Sequence, residues 1–191
     1  NLADAQNAYM FELEVYSTIE ITTEQVALTM SVSPVEEAGN VSVYPVSPSY
    51  DKGSELKLTA TENFGYDFVN WTNANGDILS VEPVFNYVIE ADETLIANFV
   101  KVNTYSLSVA VEGGANDYMV SYNPVPTIVD GKQMYEEGTI VGVVAASNAL
   151  LTFNNWDNGE TNPSFSVTMD TDKAYTATYS AADYIVGWDF I

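Results

Sequence analysis

The side chains able to do chemistry in this chain are nearly all carboxylates. Against 27 Asp and Glu stand five Lys (Lys52, Lys57, Lys101, Lys132 and Lys173), and there is no His, Cys or Arg. Imidazole acid–base catalysis, thiol nucleophiles, the usual zinc ligand sets and guanidinium clamps on phosphate are therefore excluded. The formal net charge of -22 repels a polyphosphate backbone, which excludes nucleic acid as a partner. What is left is carboxylate, hydroxyl and amine chemistry, together with binding through the 13% of residues that are aromatic.

Each constellation of these residues has a plainer reading beside the chemical one. Glu36-Glu37 and Glu136-Glu137 are the acids a glycosidase would use, but that chemistry needs two carboxyls facing each other about 5 to 10 Å apart. Neighbours on a strand point to opposite faces, so no catalytic residue is expected and the chain is not read as an enzyme. Asn73-Ala74-Asn75-Gly76-Asp77, Asp157-Asn158-Gly159-Glu160 and Asp170-Thr171-Asp172 carry the oxygen ligands calcium takes. None completes a calcium loop, the first for want of a terminal bidentate Glu, and tight turns account for them. No metal or cofactor is implied. The five Lys are scattered, with none in the apolar setting that activates an amine.

The elements that must position these residues are strands. Apolar and polar side chains alternate with period two through Leu56, Leu58 and Ala60, through Leu95, Ala97 and Phe99, through Tyr105, Leu107, Val109 and Val111, and through Tyr175, Ala177 and Tyr179. Alternation also marks Ala8 to Tyr16 and Tyr184 to Phe190. Asn/Gly and Gly/Gly turn signals separate the runs, and no helical period appears, so antiparallel strands joined by hairpins are expected. With 191 residues, 47% of them apolar, the chain has material for one ordinary domain or two small ones.

The chain also repeats itself. Gly53 to Trp71 matches Gly138 to Trp156 at an offset of 85 residues, and Pro83 to Phe99 matches Pro163 to Tyr179 at an offset of 80. The hairpin after the Trp is longer in the first copy, and extra residues precede Gly138 in the second. Each unit reads Gly, an alternating strand ending in Ala, an aromatic strand with Phe and Trp, then Pro-x-Phe and an Ala-x-(Phe/Tyr) exit. This set of motifs resembles the divergent B-repeat of internalin-like bacterial surface proteins. The second copy departs from the pattern, with Asn148-Ala149-Leu150 where the first has Asn63-Phe64-Gly65.

That resemblance implies an all-β, β-grasp-like fold of two tandem small antiparallel-sheet repeat modules, strung along secreted or cell-surface proteins and often beside carbohydrate-active domains. It implies no catalytic residues. The expected division is 1-22, a strand from a preceding module or an N-terminal cap; 23-102, module 1; 103-181, module 2; and 182-191, the start of a following module or a C-terminal cap strand.

Trp71 and Trp156 could stack on a sugar, but recurrence at one repeat position beside Phe68 and Phe153 is the mark of a core plug. Trp188, outside both repeats, is the better ligand candidate, although Tyr184, Val186, Trp188 and Phe190 share one face that a missing neighbour could bury. No apolar run approaches the ~20 residues that span a bilayer. The sequence opens on Asn1 without a signal sequence, which reads as a mature protein or a piece of a longer one. Absence of Cys with a Thr, Ser, Asn and Tyr-rich acidic surface places it on the bacterial exterior. The expected function is a monomeric, non-catalytic spacer or interaction module, with neighbouring domains, and glycans or other surface proteins, as partners. The alternative is a carbohydrate-binding accessory module.

Overall fold

The computed structural model describes residues 23–116 and 119–182. The expected strands at Ala8 to Tyr16 and Tyr184 to Phe190, and with the latter Trp188, lie outside the described residues. Within them the chain is all-β. The first repeat runs β1 (Gln25–Val26), β2 (Leu28–Ser33), a 3-10 turn (Glu36–Ala38), β3 (Gly39–Tyr44), β4 (Tyr50–Asp51), β5 (Ser54–Glu62), β6 (Tyr66–Asn73), β7 (Ile78–Ser80), β8 (Val84–Ile89) and β9 (Glu93–Lys101). The second runs β10 (Thr104–Glu112), β11 (Val120–Asn123), β12 (Thr127–Val129), β13 (Lys132–Glu136), β14 (Ile140–Ala145), β15 (Leu151–Trp156), β16 (Ser164–Thr168) and β17 (Lys173–Ala181).

Each repeat stacks two sheets over a buried apolar interior, two clusters in the first repeat and one in the second. In the first, β2-β9-β6-β7 and β3-β5-β8 are the layers and β1 pairs with β4. In the second, the layers are β12-β13-β10-β17-β15 and β11-β14-β16. The alternation on β5 buries Leu56, Leu58 and Ala60, and that on β14 buries Val141, Val143 and Ala145, at the same repeat positions. The ladder Gln25↔Asp51, Val26↔Tyr50 recurs as Thr104↔Glu136, Tyr105↔Tyr135. A bulge falls between Phe68 and Asn70 on β6 and between Phe153 and Asn155 on β15. The Phe N–H at each bulge is taken by a side chain six residues upstream: Glu62 Oε2 at 3.2 Å, Ser147 Oγ at 2.9 Å.

Among the described residues most ladders are antiparallel, as expected, but only β6–β7 and β12–β13 pair strands consecutive in the chain as hairpins. The other antiparallel ladders join strands separated by an intervening element or layer, and each repeat adds one parallel ladder, β2 with β9 and β10 with β17. These are the first and last long strands of a repeat. A parallel pair needs a crossover of a dozen residues or more, and the rest of the repeat supplies it. Alternation alone does not distinguish the two directions.

Two connections differ. Between Pro45 and Tyr50 the first repeat spends Val46 to Ser49, whereas between Pro124 and Tyr135 the second spends Val125 to Met134 and builds the β12–β13 hairpin. After the Trp, the first repeat forms the β6–β7 hairpin, with Gly76 at φ 88°. The second has a shorter connection without that hairpin, in which the Trp156 backbone N–H donates to Glu160 O at 2.8 Å.

Candidate functional site

Trp71 and Trp156 are completely buried. The Trp71 ring lies 6.3 Å from Phe68 and 6.0 Å from Phe85, and that of Trp156 lies 5.2 Å from Phe153 and 4.9 Å from Phe165. Each indole N–H is spent on a backbone carbonyl, Pro83 O at 3.3 Å and Asn162 O at 3.0 Å. Indoles enclosed in this way present no face to a ligand in solvent. Phe153 is buried and Phe68 half-buried against the same cores.

The two acidic pairs are placed differently. Glu36 and Glu37 sit exposed on the 3-10 turn, not on a strand, because burial of Ala38 and its N–H bond to Val35 O close the chain into a turn there. Glu136 Oε1 accepts the N–H of Gly65 at 2.7 Å, and Glu137 Oε2 accepts from Asn103 Nδ2 at 2.8 Å. Side chains of the candidate calcium loops are also in use. Asn73 Oδ1 accepts the N–H groups of Asn75 and Asp77, and Asn158 Oδ1 that of Glu160. Asp170 pairs with Lys173, which holds its carboxyl below the usual range. Asp172 Oδ1 takes both the N–H and the hydroxyl of Ser106, which lowers its pKa in the same way. Among the described residues no three acids gather as metal ligands.

Two features that the motifs did not single out recur in both copies. The first is a phenol clamp: Tyr50 Oη donates to Pro45 O at 3.0 Å, and Tyr135 Oη to Pro124 O at 3.1 Å. Burial, with Tyr122 nearby, pushes the Tyr135 phenol up to about 12. The signal in the sequence is a Tyr three residues ahead of Gly53 and of Gly138.

The second is a joint. Val102 and Asn103 alone connect β9 to β10. Val102 N–H donates to Gly65 O (2.9 Å) and Glu137 N–H to Asn103 O (2.9 Å), while the Gly65–Glu136 bond ties the β5–β6 bend of the first repeat to the end of β13. Gly65 holds φ 87°, where an added Cβ would lie 3.6 Å from Thr104 Cγ2. The closing bond recurs in the second repeat as Ala182 N–H to Leu150 O at 2.8 Å. On the N-terminal side of the first repeat, the positions of Asn103 and Glu137 are taken by Glu24 and Lys52, which form an ion pair at 3.0 Å. That pairing raises the Lys52 pKa. Asp51, at the position of Glu136, accepts from Thr23 and Gln25.

Comparison with known proteins matches this chain to the divergent InlB B-repeat domain twice, over residues 28–103 and 118–183. No curated protein matches it. Among solved structures it is similar to streptococcal high identity repeats in tandem (SHIRT) domains 3-4 from a cell surface protein. The identity is 12% over 84% of this chain and 99% of that one, with a TM-score of 0.26.

Proposed function

Because the chain belongs to the divergent InlB B-repeat domain family, we propose that it is a non-catalytic spacer of a secreted or cell-surface bacterial protein, setting the distance between neighbouring domains. Module 1 spans 23-102 and module 2 spans 103-181, and the chain works as a monomer beside an adhesive or carbohydrate-active neighbour. The observation that carries this reading is the joint. Two linking residues and a hydrogen bond from each side leave the modules little room to swing. Chemistry is disfavoured from another direction, since the Glu136 and Glu137 carboxylates are spent singly on a backbone N–H and a side-chain amide, while Glu36 and Glu37 stand exposed on a turn. No helix among the described residues is long and apolar enough to cross a membrane.

Small-angle scattering at low and high salt tests the reading. A jointed spacer keeps its maximum dimension, whereas loosely linked modules contract as salt screens the net charge of -22. Reducing-end release from a polysaccharide panel is the second arm. No release is expected, and steady turnover would overturn the non-catalytic assignment.

A further inference from the structure

The longer connection of the second repeat creates something the spacer role does not use. Its β12–β13 hairpin turns at Asp130 and Gly131, both at positive φ. The adjoining β10–β13 ladder stops at Ser106↔Met134, although its register would carry Leu107 opposite Gln133 and Ser108 opposite Lys132. The strands part there. The gap is a cavity of about 400 Å³, with Leu107 and Val109 as apolar lining, Tyr122 as an aromatic wall, and Ser108, Lys132 and Gln133 as polar groups. Lys132 and Gln133 both come from the ten-residue connection, which the first repeat replaces with four residues.

Two groups in this cleft want partners of opposite kinds. Gln133 Oε1 is buried and has no hydrogen-bond partner, a situation that costs stability and is rare in folded proteins. Lys132 helps keep Asp172 ionised but makes no ion pair among the described residues. The buried carbonyl therefore lacks a donor, and the exposed Lys132 ammonium stands open to an acceptor across the apolar lining. The volume suits one sugar ring, and the net charge of -22 disfavours an anionic ligand.

We propose that this cleft binds one neutral N-acetylated pyranose residue. Its amide N–H would donate to Gln133 Oε1, which a rotamer change of that side chain turns into the cleft it lines. The acyl oxygen would accept from Lys132 Nζ, and the methyl group and ring C–H face would cover Val109. Tyr122 gives the ring a wall to pack against. No bond is made or broken. The site extends the function beyond spacing and does not depend on it, since a flexible chain could hold the same pocket.

The test is an amide-shift NMR titration of the whole 191-residue chain, with N-acetylglucosamine as the probe and glucose and sodium acetate as controls. Saturable shifts are expected at Leu107 to Val109, Tyr122 and Gly131 to Gln133, with an apparent Kd of about 1 mM and weaker binding of glucose. Gln133→Leu should weaken binding about tenfold while the melting temperature holds or rises, because the variant removes the unpaired carbonyl. Lys132→Ala, at an exposed position, should weaken binding without touching the fold, and it decides the matter if Gln133→Leu does not fold. Four results would each overturn the proposal: no saturable shift, shifts spread evenly over both repeats, acetate alone reproducing them, or unchanged affinity in the folded variants.

Discussion

The first and second repeats agree wherever a side chain closes the core and disagree where the chain runs over the surface. Trp71 and Trp156, Leu58 and Val143, Ala97 and Ala177, and the clamps Tyr50 and Tyr135 hold equivalent places with equivalent partners. The β3–β4 connection, the turn after the Trp and the pair at the N-terminal face (Glu24–Lys52 against Asn103–Glu137) do not. A two-sheet core at native density tolerates little change of volume, whereas surface connections lengthen at small entropic expense. What the difference teaches is a division of labour. Both repeats carry the scaffold, and the longer connection of the second adds Lys132 and Gln133 to the lining of a cleft.

The strongest way to break this equivalence is at the plug. Trp71→Ala and Trp156→Ala should each cost about 3 to 5 kcal/mol, enough to unfold the affected repeat, with similar losses in urea melts. A loss below about 1 kcal/mol at one site would mean that the two cores are not alike. Next comes a substitution that makes the second core more like the first. Tyr179 occupies the position of Phe99, and its hydroxyl is buried with no hydrogen-bond partner. Tyr179→Phe should therefore stabilise the second repeat by about 1 to 3 kcal/mol, visible as a raised melting temperature, and a destabilised variant would show that the hydroxyl is satisfied.

The clamps sharpen the comparison further. Tyr50→Phe and Tyr135→Phe should each remove about 1 kcal/mol. Because the Tyr135 phenol is raised to about 12 in the fold, the folded state favours its protonated form. Its contribution is complete below pH about 10, the unfolded value, and is lost as pH rises through the folded one. Stability measured from pH 9 upward should fall less steeply in Tyr135→Phe than in the parent, and identical slopes would count against the burial argument. The smallest effect is expected at the N-terminal face. The Lys52–Glu24 pair is exposed, so Lys52→Ala should leave the melting temperature unchanged within error. A clear loss would show that this face is more enclosed than that of its counterpart.

The parts of this design that could be read from the chain are those written in side-chain type at fixed intervals. Period-two alternation gives the strands, and Trp, Pro-x-Phe and Ala-x-aromatic recur because each fills the same place in a core. The parallel ladders left no trace, since β2 and β10 alternate in the same way whichever direction the partner runs. The tyrosine clamps were hidden because Tyr50 and Tyr135 meet a carbonyl rather than another distinctive side chain. The 3-10 turn at Glu36–Ala38 comes from local closure that alternation does not encode. The cleft could not be read at all, because it arises where a ladder stops. Only the unequal spacing from Pro to Tyr, four residues against ten, hinted that the two repeats differ there.

The central claim is that two like modules are held at a fixed joint, and a distance between them tests it most directly. The chain has no Cys, so Ala74→Cys and Thr161→Cys, both at exposed positions outside the core, place one spin label on each repeat. Pulsed electron–electron resonance should return one narrow distance distribution that salt does not move, and that broadens when Glu136→Ala removes the acceptor of the Gly65 N–H. A broad or salt-dependent distribution in the parent chain would contradict the account, because modules that swing freely cannot set a distance.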